Sequence, residues 1–359
     1  MRVAFLAPEF PPHCFGVGTY CKNLTEALAD KGVKIELISS ARRYEHENIR
    51  LHSTKLSGPI PVQWAGFFFL SNFHLMRLRD VPLIHDNSFL PILSHRPIVV
   101  TSHYLSTVFQ RKMKARRLFT FGRFVMFTRH LEFKLEKNSM RRAKAVISLS
   151  PSMTEEMVKE YGVEREKISQ IPNGIKYSEF KRDEDKEDFV LYSGRLTEQK
   201  GILELLDAIK LCKRELRMTG EDVFGGKWIE RVIREKGVKK YVHLLGFLER
   251  EEFIEVLGRA KAFVLPSLYE SFGIVALEAM ASGTPLIISN GCGLSEYLED
   301  GKNALVVSPE AEEIAQAIER LMEDRRLWKK LRRNGMRFAK KLDWSRIAKR
   351  VVEVYESVL

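Results

Sequence analysis

The sequence predicts an α/β protein of two doubly wound halves, and three observations carry that prediction. Apolar runs of strand length alternate with helical stretches along the whole chain. The alternation is interrupted once, by the charge run KRDEDKED at 181–188, and the 359 residues match two ordinary domains. Near-continuous apolar strands separated by helices imply parallel sheets covered on both faces. Hydrophobic residues make up 45% of the chain, ample for packed cores, so disorder is not the default.

In the first half, RVAFLA (2–7) is a continuous apolar run. Gly16-Val17-Gly18 follow, then an amphipathic helix predicted over Thr19 to Lys31. KIELIS (34–39), VPLIH (81–85), PIVVTS (97–102) and KAVISLS (144–150) read as further short strands. The second half repeats the pattern with DFVLYSG (188–194), ELRMTG (215–220), YVHLLG (241–246), AFVLPS (262–267), PLIIS (285–289) and ALVVS (304–308). Three helical stretches close the chain, the last beginning near Trp344 and amphipathic enough to dock elsewhere. The expected domains are therefore 1–180 and 181–341, followed by a terminal helix over 342–359.

The net charge of +12 is unevenly placed: twelve Lys and Arg against two Glu fall between Arg111 and Lys144. Cys14, Cys21, Cys212 and Cys292 show no metal-binding or CxxC spacing and read as ordinary reduced thiols. MRVAFLAPEF turns to proline instead of building an apolar leader, and AGFFFL (65–70) is far shorter than a membrane span. A cytoplasmic location is the expectation.

Ligands of open α/β sheets sit at the carboxyl ends of strands, so two such sheets would place a pocket in the cleft between them. After the first strand, Gly16 and Gly18 either form a turn or let backbone approach a ligand at a helix start. His85 and His103 follow later strands; each either caps a strand or serves a ligand, with His103 favoured because it ends the strongly apolar VVTSH. Arg195 and Lys200 bracket a turn entering a helix and suit a diphosphate, the guanidinium bidentately and the ammonium as a point charge. Separately, each would pass for a surface cation.

The stretch PSLYESFGIVALEAMASGTP (266–285) holds the sharpest signal. From Ile274 to Ala281 it is apolar except for Glu278, and a buried carboxylate needs a partner. Glu270 lies on the preceding loop. The N–H groups of Phe272, Gly273 and Ile274 would open the helix and favour an anion. Carboxylates are good partners for vicinal hydroxyls, so one acid for sugar hydroxyls and one for a ribose diol would explain the spacing. The alternative places Glu278 on an exposed edge and leaves Glu270 to favour the helix dipole.

These motifs resemble the retaining glycosyltransferases of family 4, whose GT-B fold sets two Rossmann-like doubly wound domains across a cleft. The resemblance rests on SGRLTEQKG (193–201), Glu270-SFGIVAL-Glu278, AMASGTPLIIS and GLSEYLEDGKNALVV (293–307), with IPNGI (171–175) and APEFPP…GVGTY in the first half. It spans essentially the whole chain and is most specific in the second half. It implies that Arg195, Lys200 and the Gly16 loop hold a donor diphosphate. Glu270 with the backbone of Phe272, Gly273 and Ile274 would hold the donor sugar and phosphate, Glu278 the ribose, and the backbone of Leu248 the base. His103 would face the transferred sugar, and the last helix would cross back onto the first domain. Two departures stand out: Phe15 occupies the place of a usual glycine, and NGIKYSEF lacks the acid common after this motif.

Transfer with retention would run by a front-face, ion-pair-like route, because the resemblance gives Glu270 to hydroxyls instead of leaving it as a nucleophile. No metal is expected, since two cations and a helix end already offset the leaving group, and Asp183-Glu184-Asp185 reads as a solvated run. The donor would be GDP-mannose or a UDP-sugar, and the acceptor a lipid-linked or other glycan. Residues 104–144 interleave aromatics with basic charge and suit either an anionic membrane surface or a packed domain helix. Nucleic acid is disfavoured for want of any recognisable module. A sugar-nucleotide epimerase of the same fold and a non-catalytic sugar-nucleotide-binding module remain open.

Overall fold

The computed structural model describes the chain except residues 11–15, 56–59, 91, 109–110, 112–122, 181, 183–184 and 223–226, and leaves aside the side chains of 60–61 and 123–130. The chain forms two compact units: Met1–Arg111, Phe119–Gly174 and Trp344–Leu359 in the first, Ile175–Asp343 in the second.

The first unit is built on a seven-stranded sheet of order β3-β2-β1-β4-β5-β6-β7. Its strands are β1 Arg2–Ala7, β2 Lys34–Ser39, β3 Ile49–Ser53, β4 Leu83–Asp86, β5 Ile98–Thr101, β6 Ala145–Ser148 and β7 Ile168–Gln170. Every neighbouring pair is parallel. The edge strands β3 and β7 carry no apolar run and escape the sequence reading; both are partly exposed and mostly polar. The order reverses between β1 and β4, which opens a crevice at the carboxyl ends there.

The second unit carries a six-stranded parallel sheet, β10-β9-β8-β11-β12-β13. Here β8 is Glu187–Ser193, β9 Leu216–Thr219, β10 Val242–Gly246, β11 Ala260–Leu265, β12 Leu286–Ser289 and β13 Leu305–Val307. Its reversal lies between β8 and β11, so the turn holding Arg195 and Lys200 meets the loop holding Glu270.

The helix after β1 runs Gly16–Ala29 and takes in both glycines, starting ahead of the expected Thr19. Glycine weakens a helix without forbidding it. Here Gly18, Tyr20, Cys21, Leu24 and Leu28 all lie buried along the helix, so tertiary packing overrides the local propensity.

The terminal helix Trp344–Val358 belongs to the first unit. Tyr355 Oη lies 2.5 Å from His85 Nδ1, while His85 Nε2 lies 2.7 Å from Thr101 Oγ1. With both ring nitrogens engaged and burial pushing its pKa down to about 3, His85 is a neutral core residue that fastens this helix. Trp344 passes so close to Gly174 that a Cβ there would lie 2.5 Å from the indole, which explains the glycine of IPNGI.

The units part at Gly174/Ile175 instead of 180/181, because Ile175 to Phe180 are fastened within the second unit. Ile175 N–H donates to Leu342 O at 2.9 Å, and Tyr177 N–H to Asp343 Oδ2 at 3.2 Å. Phe180 is buried beneath the Arg250 guanidinium, 5.1 Å from its ring centroid. A charge run marks solvent exposure and carries no sign of these contacts.

Much of the basic stretch 104–144 lies outside the described residues, as do Asp183 and Glu184. Where helix Arg123–Arg142 is described, its C-terminal part packs into the first unit. Glu136 is buried there, accepting from Tyr161 Oη at 2.7 Å and Ser106 Oγ at 2.8 Å, with its carboxyl pushed up to about 7 by burial.

Candidate active site

In the second unit the site is assembled by backbones lying against one another. The turn leaving β8 ends at Gly201, where φ is +70° and a Cβ would sit 2.1 Å from Pro266 O. Only glycine lets this turn lie on the loop after β11. Leu268 N–H donates to Gln199 O at 2.9 Å and Gln199 Nε2–H to Tyr269 O at 3.1 Å, so the two loops move as one. On the other side Glu270 N–H donates to Gly291 O at 3.0 Å and Gly293 N–H to Glu270 O at 2.9 Å, tying in the loop after β12.

This lamination brings Lys200 and Glu270 into a direct ion pair, with side chains 13% and 22% exposed. Arg195, in the same turn as Lys200, is exposed; its carbonyl accepts from Tyr192 Oη at 3.0 Å, while its guanidinium makes no hydrogen bond or ion pair among the described residues. Beyond Glu270, helix Ile274–Ala281 starts from Gly273 at φ +94° with no side-chain cap. Among the described residues the N–H groups of Phe272, Gly273 and Ile274 donate to no acceptor. Uncapped donors at the positive end of a helix, next to an ammonium and near a guanidinium, form an anion cradle. Cys292, buried beneath this loop, has its thiol pushed up to about 12 by burial and then by Glu270, so it is no nucleophile at neutral pH.

Glu278 is buried, and its partner is Arg250, at 2.6 Å from Nη1 to Oε1. Arg250 also reaches Glu179 with Nη2 at 2.6 Å. Burial raises the Glu278 pKa above the ordinary value, opposed by Arg250 and abetted by Glu179. Sequence reasoning missed both Arg250 and Glu179; the one available hint was that Arg250 stands two residues beyond Leu248. Leu248 itself is half-buried in the loop after β10, between exposed Phe247 and the Glu249–Glu252 capping box that opens helix Arg250–Arg259.

Arg250→Ala is expected to destabilise the second unit by about 2–3 kcal/mol at neutral pH. This is less than the loss for a fully buried pair, because the Arg250 side chain is 37% exposed. Without the cation the folded-state pKa of Glu278 rises further above its unfolded value. The protonated form then suffices in acid, and stability falls as pH climbs from the unfolded towards the folded pKa. Urea unfolding across that range should show the deficit growing with pH; a deficit independent of pH would mean that Arg250 acts through packing alone.

The first unit contributes His103, just after β5. Its Nε2 lies 2.9 Å from Asn87 Oδ1, and Asn87 Nδ2 donates to Leu6 O at 3.0 Å. A carbonyl only accepts, so the Asn87 amide has a fixed orientation and His103 must donate from Nε2. Burial pushes the His103 pKa down to about 3, which leaves a neutral ring with its lone pair on Nδ1. That nitrogen has no partner among the described residues. Tyr20 stands edge-on against the ring, centroids 4.6 Å apart, and holds its plane. Gly16 is exposed at the helix start, where a Cβ would meet nothing within 4 Å, whereas Gly18 is buried. Gly16 therefore leaves open space at the start of this helix, and Gly18 serves packing.

Known proteins resemble this chain along essentially its whole length. The family described as Glycosyltransferase Family 4 matches residues 16–179, and that described as Glycosyl transferases group 1 matches residues 175–338. Among curated relatives, the MMP alpha-(1->4)-mannosyltransferase of Mycolicibacterium hassiacum is 26% identical over 100% of this chain and 98% of its own. Among solved structures, sucrose-phosphate synthase from Thermosynechococcus elongatus aligns with a TM-score of 0.84 at 24% identity, covering 99% of this chain and 98% of that one. Anabaena HepE in complex with UDP-glucose aligns with a TM-score of 0.77 at 20% identity, covering 99% of this chain and 100% of that one.

Proposed function

We propose that this chain, which belongs to the family 4 glycosyltransferases and has their GT-B fold, moves a hexose from a nucleoside-diphosphate sugar to a lipid-linked or glycan acceptor with retention. The observation that carries this reading is the Lys200–Glu270 pair set beside exposed Arg195 and the unbonded N–H groups of Phe272, Gly273 and Ile274. One patch thus offers cations and N–H donors for a diphosphate next to a carboxylate for sugar hydroxyls.

In this mechanism Arg195 and Lys200 bind the diphosphate, and the helix N–H groups stabilise its charge as the glycosidic bond breaks. The departing phosphate oxygen takes the proton of the acceptor hydroxyl, which attacks from the same face. Glu270 accepts hydrogen bonds from the sugar hydroxyls. Glu278 keeps Oε2 for the ribose diol while Arg250 holds Oε1. The backbone at Leu248 meets the base, and His103 accepts a hydrogen bond from a sugar hydroxyl at Nδ1. The resemblance gives the Gly16 loop a share in holding the same diphosphate. Two cations and a helix end supply the charge that a metal would otherwise bring. The proposed donor is GDP-mannose or a UDP-sugar; a relative named as a mannosyltransferase and the UDP-glucose complex of HepE are compatible with a mannosyl or UDP-sugar donor. The proposed workplace is cytoplasmic, at the inner face of a membrane.

The test is calorimetric titration with UDP, GDP, ADP and CMP in the absence of metal. One diphosphate should bind tightly; heats at background for all four would remove the donor assignment. His103→Ala should lose transfer by about 10²-fold or more with nucleotide affinity unchanged. Unchanged transfer, or no turnover by the native protein, would favour the epimerase or binding-module reading.

A further inference from the structure

Helix Ile60–Arg77 is apolar on two opposite faces, and the first unit covers only one of them. Phe67, Leu75 and Leu78 point inward into a cluster with Ala4, Leu6, Ile38, Val81 and Ile84. At 100° per residue, Val62, Phe69, Phe73 and Met76 fall within about 60° of one another on the opposite side. All of these are solvent-exposed, Phe69 at 69% and Met76 at 58%. Leu93, also 69% exposed, extends the patch sideways, its N–H bonded to Asn72 Oδ1 of the same helix at 2.7 Å. A surface helix normally turns a polar face to water, so an apolar outer stripe calls for an occupant.

The surrounding charge says which one. No acidic residue occurs between Glu47 and Asp80, while Arg50, Lys55, Arg77 and Arg79 do, all of them exposed. Asp80 is itself ion-paired with Arg2. The Arg77 guanidinium lies 4.3 Å from the Phe73 ring centroid, so cation and aromatic are presented together. The stripe is convex and contains no hydrogen-bonding side chain, whereas a protein partner would ask for matched polar groups around it. No helix among the described residues is long and apolar enough to cross a membrane. Projecting aromatics ringed by cations match an anionic bilayer surface, where rings enter the headgroup boundary and basic groups meet lipid phosphates.

We infer that the outer face of helix Ile60–Arg77, with Phe69, Phe73, Met76 and Leu93 as the inserting side chains, docks the protein on an anionic lipid surface. This surface is distinct from the basic stretch 104–144 and does not depend on the donor assignment.

The test is co-sedimentation of the full chain with vesicles of phosphatidylcholine alone and of phosphatidylcholine mixed with phosphatidylglycerol. The native protein should pellet with the mixed vesicles, and raised salt should weaken binding. The triple variant Phe69→Ser, Phe73→Ser, Met76→Ser should lose about tenfold or more in partitioning. Its thermal unfolding and nucleotide titration report separately on the fold and the donor site. Arg77→Glu with Arg79→Glu should lose binding to the mixed vesicles and change little with the neutral ones. The inference is overturned if the native protein stays in the supernatant or if the triple variant pellets as well as the native chain. It is also overturned if the native chain proves to be a dimer that the triple variant converts to monomer.

Discussion

Lys200→Ala should abolish measurable binding of the nucleoside diphosphate and cut transfer by about 10³-fold. Two effects act in the same direction. The diphosphate loses a cation in a partly buried setting, where charge is worth more than in open water. Glu270, now without its ion-pair partner, presents an unopposed carboxylate to an incoming dianion. The second effect can be separated from the first. Adding Glu270→Gln to Lys200→Ala should recover part of the diphosphate affinity without recovering transfer, because the amide is uncharged and a poorer acceptor for sugar hydroxyls. Titration and turnover on the same preparations decide the matter. Native-like affinity in Lys200→Ala would remove the ammonium from the diphosphate site.

Gly201→Ala should be among the most damaging single changes in the second unit. A Cβ would meet Pro266 O at 2.1 Å, and φ of +70° is a left-handed conformation that alanine adopts at a cost. The expected loss is about 3 kcal/mol or more, or roughly 10 °C in thermal midpoint for a unit of this size. Nucleotide affinity should fall as well, since the turn carrying Lys200 has to lift off the loop carrying Glu270. Gly16→Ala is the contrasting case, with nothing within 4 Å of the added carbon, and should leave the midpoint unmoved. A scanning calorimetry trace in which both variants match the native protein would show that the two loops are not held as tightly as their hydrogen bonds imply.

The central strands were legible because each is a buried apolar run, and their alternation with helices left little choice of architecture. Strands β3 and β7 were not, since an edge strand half in water has no reason to be apolar. Glu278 announced itself as the one charge in an apolar helix, yet its partner could come from any neighbouring loop, and Arg250 lies 28 residues away. Spacing carries no information about such a pairing. The tautomer of His103 was equally hidden, because it is dictated at second hand: a carbonyl of β1 orients the Asn87 amide, which then orients the ring. Gly201, Gly220 and Gly291 became meaningful only once the strand order was known. Each lies against the backbone of a loop that leaves a different strand. The turn after β8 meets the loop after β11 only because the sheet reverses there.

The terminal helix has a consequence for how the chain is made. Most of the first unit precedes the second in the chain, but it lacks Trp344 against Gly174 and Tyr355 against His85 until residues 344–355 have left the ribosome. The second unit is whole once Asp343 emerges. The first unit thus precedes the second in translation yet is completed after it, with His85 and Gly174 still uncovered while the second unit forms.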